Sequence, residues 1–418
     1  MTAATSSSRS SMGLWRNPNF RKLWVGRTIS AVGSQITFIA LPLTAVLLLN
    51  ASAAQMGILT AAVTLPYLLV GLPAGVWVDR LRRRPILITA DVCRAVLLVT
   101  IPLAALLNLL RIEHLYLVAF LSGIFTVFYD VAEEALLPSL IRREQLVEGN
   151  SKMAAMGSLV EITGPGIGGG LVQWLTAPVA IIADVLSFVA SALFLTSIRV
   201  AEPAPAYLEE RRNLAAEIGE GFRFVLRHPL LRPVTGTTAT FQLFGGMFDA
   251  LLALFITREL GLPPATFGLV YAIGSASGLI GAAFGERLTR RTGIGRMIVV
   301  AACAIGAGWL TMSFARGTPV TAFAILAGGF VVAGLGNTLY NIGVASLSQA
   351  VTPDRLLGRM NATRLFIGWG TLPVGSLIGG FLGQAIGIRA TLLIAGIGLA
   401  SGFLWVLLSP LRKYVSLH

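Results

Sequence analysis

Charge is scarce in this sequence. Asp, Glu, Lys and Arg make up 12% of its 418 residues, where a soluble domain carries about 25%. A water-soluble globular fold is excluded if the apolar residues that take their place fall in runs long enough to sit in lipid. Histidine and cysteine are also rare, at three and two residues. His114, His228 and His418 lie outside the interiors of the apolar runs, and Cys93 and Cys303 stand alone inside them. Neither a disulfide framework nor a metal centre is expected from such isolated residues. His-Glu-x-x-His, Gly-x-Ser-x-Gly and a Gly-Lys phosphate loop are missing, which argues against a zinc or serine hydrolase and against ATP-driven transport. No cofactor is expected.

Apolar residues fill the gap, at 55% of the chain with a mean hydropathy of +0.79. About 20 apolar residues in helical form span the hydrocarbon core. Twelve such runs are present: roughly 23–48, 55–78, 86–109, 115–137, 151–174, 177–198, 233–257, 265–285, 296–315, 319–346, 362–383 and 389–409. Helices are the open segments that satisfy their own backbone in lipid, so the expected fold is all-α and polytopic.

The formal charge of +13 could suggest nucleic acid. Its placement argues for a membrane surface instead. With the N-terminus in the cytosol, 27 of the 32 Lys and Arg fall at inner loops or helix ends, and only Arg111, Arg258, Arg316 and Arg389 fall outside. This asymmetry orients a polytopic chain with both termini inside. The polar, basic start of the chain lacks a cleavage signal and reads as a cytosolic tail over 1–22. Residues 199–231 combine charge, proline and a helical pattern and read as a cytosolic linker. They separate a six-span half, 23–198, from a second, 232–410, with a short tail at 411–418.

The halves echo each other. Asp79-Arg80-Leu81-x-Arg83-Arg84 returns as Glu286-Arg287-Leu288-x-Arg290-Arg291, 207 residues on. Tyr129-Asp130 returns as Tyr340-Asn341 and Asn150 as Asn361, both 211 on, and Pro165 returns as Pro373, 208 on. Each pair holds the same place in its half. A parallel repeat of six spans points to an alternating-access transporter with its site where the halves meet.

Several stretches carry a family resemblance. Gly75-Val-Trp-Val-Asp-Arg-Leu-Arg-Arg-Arg84 resembles the cytoplasmic signature of the major facilitator superfamily, with Arg82 where that signature has its second glycine. Phe20-Arg-Lys-Leu-Trp-Val-Gly26, Tyr129-Asp-Val-Ala-x-x-Ala-Leu-Leu-Pro138 and Asp184-Val-Leu-Ser-Phe188 are similar to the branch containing the enterobactin exporter and macrolide-efflux proteins. The resemblance implies that Asp79 and Arg83 belong to a cytoplasmic gate with Arg80 and Arg84, and that Glu286, Arg287, Arg290 and Arg291 form its second copy. Asp130, late in span 4, is a plausible partner for Arg83. Gly75, four residues before the acid, would let another helix approach closely. Gly164-Pro165-x-x-Gly168-Gly169 resembles the antiporter signature of drug–proton exporters, although Val160 stands where that signature has a glycine.

Acids inside spans are the remaining signal. Glu161 lies ten residues into span 5, a depth of about 15 Å and so near the bilayer midplane. An ionisable residue there is a functional candidate by default: it carries a coupling proton, attracts a cationic substrate, or is a structural acid paired with a residue such as Arg94. Asp91 and Arg94 are three apart on one helix face and are expected to pair. Glu133 and Glu134 read as a solvated rim of span 4, Asp184 as structural, and Asp249 as lining an outer vestibule. Tyr129, Tyr271, Tyr340, Trp369 and Phe241 are candidate cavity aromatics.

The expectation is a proton-coupled exporter of small hydrophobic or amphipathic molecules, such as drugs, macrolide-like compounds or siderophores. It works as a monomer in the cell membrane, with substrate, protons and lipid as partners and no nucleic acid. The alternative is the same fold moving lipid-like cargo, or importing, without proton exchange. A membrane enzyme or a non-transporting receptor is disfavoured.

Overall fold

The structure is a computed structural model that describes residues 13–199 and 214–413. Within them the chain is helical and no strand occurs. Six helices come first: α1 (Pro18–Leu47), α2 (Ala53–Asp79), α3 (Arg83–Leu106), α4 (Ile112–Leu140), α5 (Leu146–Leu175) and α6 (Ala177–Thr196). A short helix, α7 (Leu214–Arg227), precedes the second set: α8 (Leu231–Leu254), α9 (Ala265–Thr292), α10 (Ile294–Ser313), α11 (Pro319–Val351), α12 (Asp354–Ile386) and α13 (Ile388–Ser401), continued by α14 (Phe403–Leu407). Eleven of these segments are long and apolar enough to cross a membrane, α13 and α14 counting as one. α5 makes the twelfth crossing: it has 30 residues, but Glu148, Lys152, Glu161 and a glycine run lower its hydropathy. The described ends of the chain, Gly13 and Lys413, lie on one face, here the terminus face, and the α1–α2 turn on the opposite, far face.

Local sequence sets the helix starts. Asn17 caps α1, its Oδ1 accepting from the backbone N–H of Asn19 at 3.0 Å and of Phe20 at 3.2 Å. Pro18 follows at the first helical position, where its missing N–H costs nothing. Ser52 and Gln55 form a capping box at α2, with bonds of 3.3 and 2.8 Å. Several helices outrun the expected apolar spans on the terminus face: α4 reaches Leu140, α9 Thr292, and α12 starts at Asp354. α11, with 33 residues, is about 50 Å long against a hydrocarbon core of about 30 Å. Hydropathy reads the lipid crossing and misses the polar turns that continue the helix beyond it.

The repeat predicted from sequence is a repeat of place. Tyr129 and Tyr340 are buried in α4 and α11, Asn150 and Asn361 lie near the starts of α5 and α12, and Pro165 and Pro373 sit within those helices. The backbone adds a fifth echo. Thr176, between α5 and α6, has φ 81° and ψ 155°, and Gly387, 211 residues on between α12 and α13, has φ 92° and ψ 156°. The turn at Arg80–Arg82 needs no glycine. Arg80 is near-helical at φ −92° and Arg82 extended at φ −70°, so the departure from the signature at Arg82 carries no backbone strain.

The two six-helix sets meet along α2–α12 and α5–α9, tightly near the far face. A Cβ on Gly57 would lie 2.7 Å from the Gly380 Cα, and one on Gly169 2.9 Å from the Ala265 carbonyl. Arg258, just past α8, donates to the Val46 carbonyl at the end of α1, at 3.1 Å. Toward the terminus face the fit is lost. Gly75 lies five helical turns from Gly57 on the same face of α2, and Gly71 near it, yet nothing lies within 4 Å of a Cβ built on either. The close approach expected at Gly75 is therefore absent in this conformation, because the sets splay apart at that end.

Candidate functional site

Between the sets lies a cavity of about 380 Å³. Phe241, Tyr271, Trp309 and Phe330 form an aromatic wall, and Ser158, Gln242, Asn337 and Thr338 supply neutral polar groups. The wall is a packed unit. Tyr271 lies edge-on to Phe330 with ring centroids 5.1 Å apart and to Phe38 of α1 at 5.2 Å, and Trp309 packs on Phe248 at 4.6 Å. Two acids face the space. Asp249 accepts from the Tyr271 hydroxyl at 3.2 Å. Glu161, midway along α5, is exposed to the cavity. A second lobe of about 600 Å³ lies within the first set, between α1, α4 and α5; Arg27, Gln35, Glu133, Glu134, Asn150 and Met156 are among its walls, and Glu161 lines it too. Glu161 is thus the acid shared by both lobes.

The glycines after Glu161 explain how α5 stays beside the cavity. Gly164 and Gly168, one turn apart, face α1: Cβ atoms there would meet Gln35 at 2.5 Å and the Ile36 backbone at 3.1 Å. Gly169 and Pro165, also one turn apart, face α9 at Ala265 and Gly268. The motif lets α5 pack within its own set on one face and across to the other set on the next.

Asp91 and Arg94 pair as expected, Nη2 to Oδ1 at 2.5 Å, with 0% and 3% of their side chains exposed. The Arg94 guanidinium is sandwiched by aromatics, 4.4 Å from the Tyr129 ring centroid and 4.2 Å from that of Phe188. Arg94, considered as a partner for Glu161, is thus held by Asp91. Asp184 is buried between α1 and α6 and accepts from Thr37 at 2.5 Å and Ser187 at 3.0 Å, a structural role.

Other expectations need correction. Glu133 is no solvated rim. It is buried, with Oε2 3.0 Å from Arg27 Nε, whereas Glu134 is exposed. Asp130, expected beside Arg83, accepts from Tyr67 at 3.2 Å and lies 3.6 Å from Arg27. Residues 130 and 133 are three apart and 129 and 133 four apart, spacings that share a helix face, and this was the sequence signal for a charged cluster facing α1. Of the candidate aromatics, Tyr271 and Phe241 line the cavity. Tyr129 and Tyr340 are buried within their own sets, and Trp369 stacks on Tyr67 where the sets meet, 4.9 Å between centroids and 17° between planes. Trp309 and Phe330 had no sequence signal beyond being aromatic.

The residues expected to form a gate lie at the ends of α2 and α9 and the start of α3, on the terminus face. Arg80, Arg287, Arg290 and Arg291 are exposed, and Arg83 is half-buried. Arg84 does something specific: Nε donates to the Leu195 carbonyl at 2.9 Å and Nη2 to that of Thr196, satisfying the open end of α6. The side chains of Asp79 and Glu286 lie outside the described residues, as do residues 1–12, 200–213 and 414–418 of the tails and linker.

With this geometry in view, the similarity to known proteins is direct. The chain matches the transmembrane secretion effector family over residues 9–417 and belongs to that family, within the major facilitator superfamily. It is 29% identical over 408 residues to the multidrug efflux pump Tap of Mycolicibacterium fortuitum, covering 95% of this chain and 97% of that one. Two crystal structures share the fold. The nucleoside transporter NupG superposes with a TM-score of 0.75 at 12% identity, over 93% of this chain and 99% of that one. A bacterial homologue of the iron transporter ferroportin, in an inward-facing state, gives 0.72 at 17%, over 95% and 99%. The protein is a multi-pass membrane transporter.

Proposed function

We propose that the protein is a proton-coupled exporter of small hydrophobic or amphipathic molecules, working by alternating access in the cell membrane with both termini in the cytosol. The observation that carries the reading is the cavity between the six-helix sets: aromatic on one wall, acidic at Glu161 and Asp249, closed toward the far face and splayed toward the terminus face. At about 380 Å³, with the lobe of about 600 Å³ inside the first set that meets it at Glu161, it falls in the range of about 300–1,000 Å³ typical of small-molecule sites. The excess of Lys and Arg on the terminus face supports a cytosolic side for that face. The conformation is then cytosol-open, the state in which an exporter loads. Similarity to an efflux pump supports the outward direction. Glu161 is assigned to the substrate cavity, where its carboxylate meets the polar or cationic part of the cargo. The glycine contacts at Gly57 and Gly169 form the outer seal. Gly75, Asp79 and the arginines beside it are the surface that closes in the opposite state.

The test uses everted vesicles, a panel of labelled compounds that includes ethidium and a neutral macrolide, and an imposed pH gradient. Gradient-dependent uptake that collapses with a protonophore is expected. Glu161→Gln should weaken uptake of ethidium more than of the macrolide. Uptake indifferent to the gradient would remove proton coupling, and uptake only into right-side-out vesicles would reverse the direction.

A further inference from the structure

Export driven by protons needs a group that takes up and releases one, and Glu161, open to both lobes, is assigned to the cargo. A different acid fits the proton. On the first six helices Arg27 of α1 faces two carboxylates of α4. Its Nε lies 3.0 Å from Glu133 Oε2 and its Nη2 3.6 Å from Asp130 Oδ1. Nearby charges do not correct the imbalance. Arg94 is bound to Asp91, and that pair is neutral by itself. One cation therefore serves two acids. Asp130 also accepts from Tyr67 and is partly exposed. Glu133 is the acid left short. Its side chain is nine-tenths buried, its Oε1 has no hydrogen-bond partner among the described residues, and it borders the second lobe. A buried carboxylate oxygen without a partner is unfavourable unless something in the cavity supplies a proton or a positive charge.

We propose that Glu133 is the residue that carries the coupling proton, an assignment that rests on the exporter reading above. The Glu133 carboxylate takes a proton from hydronium in the second lobe at Oε1, leaving water and a neutral acid. Arg27 then keeps Asp130 as its one charged partner. The reverse step returns the proton to water once the opposite side is open. Tyr129, 5.3 Å from the Arg27 guanidinium and 4.4 Å from that of Arg94, separates the two arginines. Exposed Glu134 on α4 and Glu161 on α5 are the other acids of the lobe, and both reach water without help.

The cluster also reaches the other set of helices. Tyr67 of α2 donates to Asp130 and stacks on Trp369 of α12. When Glu133 is charged, Arg27 is shared; when it is neutral, Arg27 is free to close on Asp130. That shift changes what holds Tyr67, and Tyr67 is part of the surface on which the sets move. A proton can bias the cycle only if its affinity differs between the two conformations, and this linkage supplies a cause for such a difference.

Two measurements test the assignment. In proteoliposomes, Glu133→Gln should lose pH-gradient-driven accumulation of both ethidium and the macrolide while still exchanging labelled for unlabelled macrolide at equal pH, and Glu133→Asp should restore the driven mode with a displaced pH profile. In infrared difference titration of the purified protein, a carboxylic acid band should vanish in Glu133→Gln and persist in Glu161→Gln. Driven accumulation retained in Glu133→Gln, or a band that survives there, overturns the assignment and leaves the exporter reading standing. Loss of ethidium transport alone makes Glu133 a substrate anchor and also overturns it. A wild-type band tied to Glu133 without any gradient-driven transport sinks the exporter reading instead and keeps the proton site.

Discussion

Gly57 of α2 and Gly380 of α12 meet backbone to backbone, so close that a Cβ on Gly57 would stand 2.7 Å from the Gly380 Cα. The far-face seal depends on both residues lacking a side chain. Gly380→Ala puts a methyl against the Gly57 Cα, also at 2.7 Å, and the Ala53 carbonyl at 2.9 Å, and backbone cannot yield as a flexible side chain can. Overpacking of this kind costs about 1–3 kcal/mol, here borne by the state in which the far face is closed. Spin labels on the α1–α2 and α12–α13 turns should report a longer distance in the variant. An unchanged distance would mean that the seal does not depend on this contact.

Arg258 pins the same face by another route. Its Nη2 donates to the Val46 carbonyl at 3.1 Å, one of the open carbonyls that end α1. Arg258→Ala removes one hydrogen bond between the sets, worth about 1 kcal/mol, or roughly a fivefold change in the balance of states. The same labels should show a larger far-side-open population, with thermal stability little altered.

The Asp91–Arg94 pair is buried, and breaking it should be worse than replacing it. Arg94→Met strands the Asp91 carboxylate among apolar groups, at a cost of about 3–5 kcal/mol. The double change Asp91→Asn with Arg94→Met should recover most of that loss. Thermal denaturation in detergent, followed by size-exclusion fluorescence, compares the three. Equal damage in the single and double variants would mean that packing against Tyr129 and Phe188, rather than charge, is what Arg94 provides.

Thr176 holds a backbone conformation, φ 81° and ψ 155°, that suits glycine and strains other residues by about 1–3 kcal/mol. Its counterpart 211 residues on is Gly387. Thr176→Gly should therefore raise the melting temperature, and Gly387→Thr should lower it. A fall on Thr176→Gly would show that the turn gains more from the threonine side chain than it loses in the backbone.

The sequence by itself determined the number of crossings, the repeat and the end of the molecule that gathers its positive charge. These follow from local quantities: run length against bilayer thickness, spacing along the chain, and where Lys and Arg fall. It also placed Glu161 at mid-helix and paired Asp91 with Arg94, since residues three apart on a helix must share a face. Only the tertiary structure decided the rest. Arg27 and Glu133 are 106 positions apart, and their pairing depends on how α1 lies against α4. The same residue type has opposite surroundings at Gly57, which is packed, and Gly75, which is open, because the sets tilt about contacts near the far face. Helix periodicity fixes which residues share a face; the neighbour that the face meets, and whether it meets one in a given state, is set by packing between helices distant in sequence.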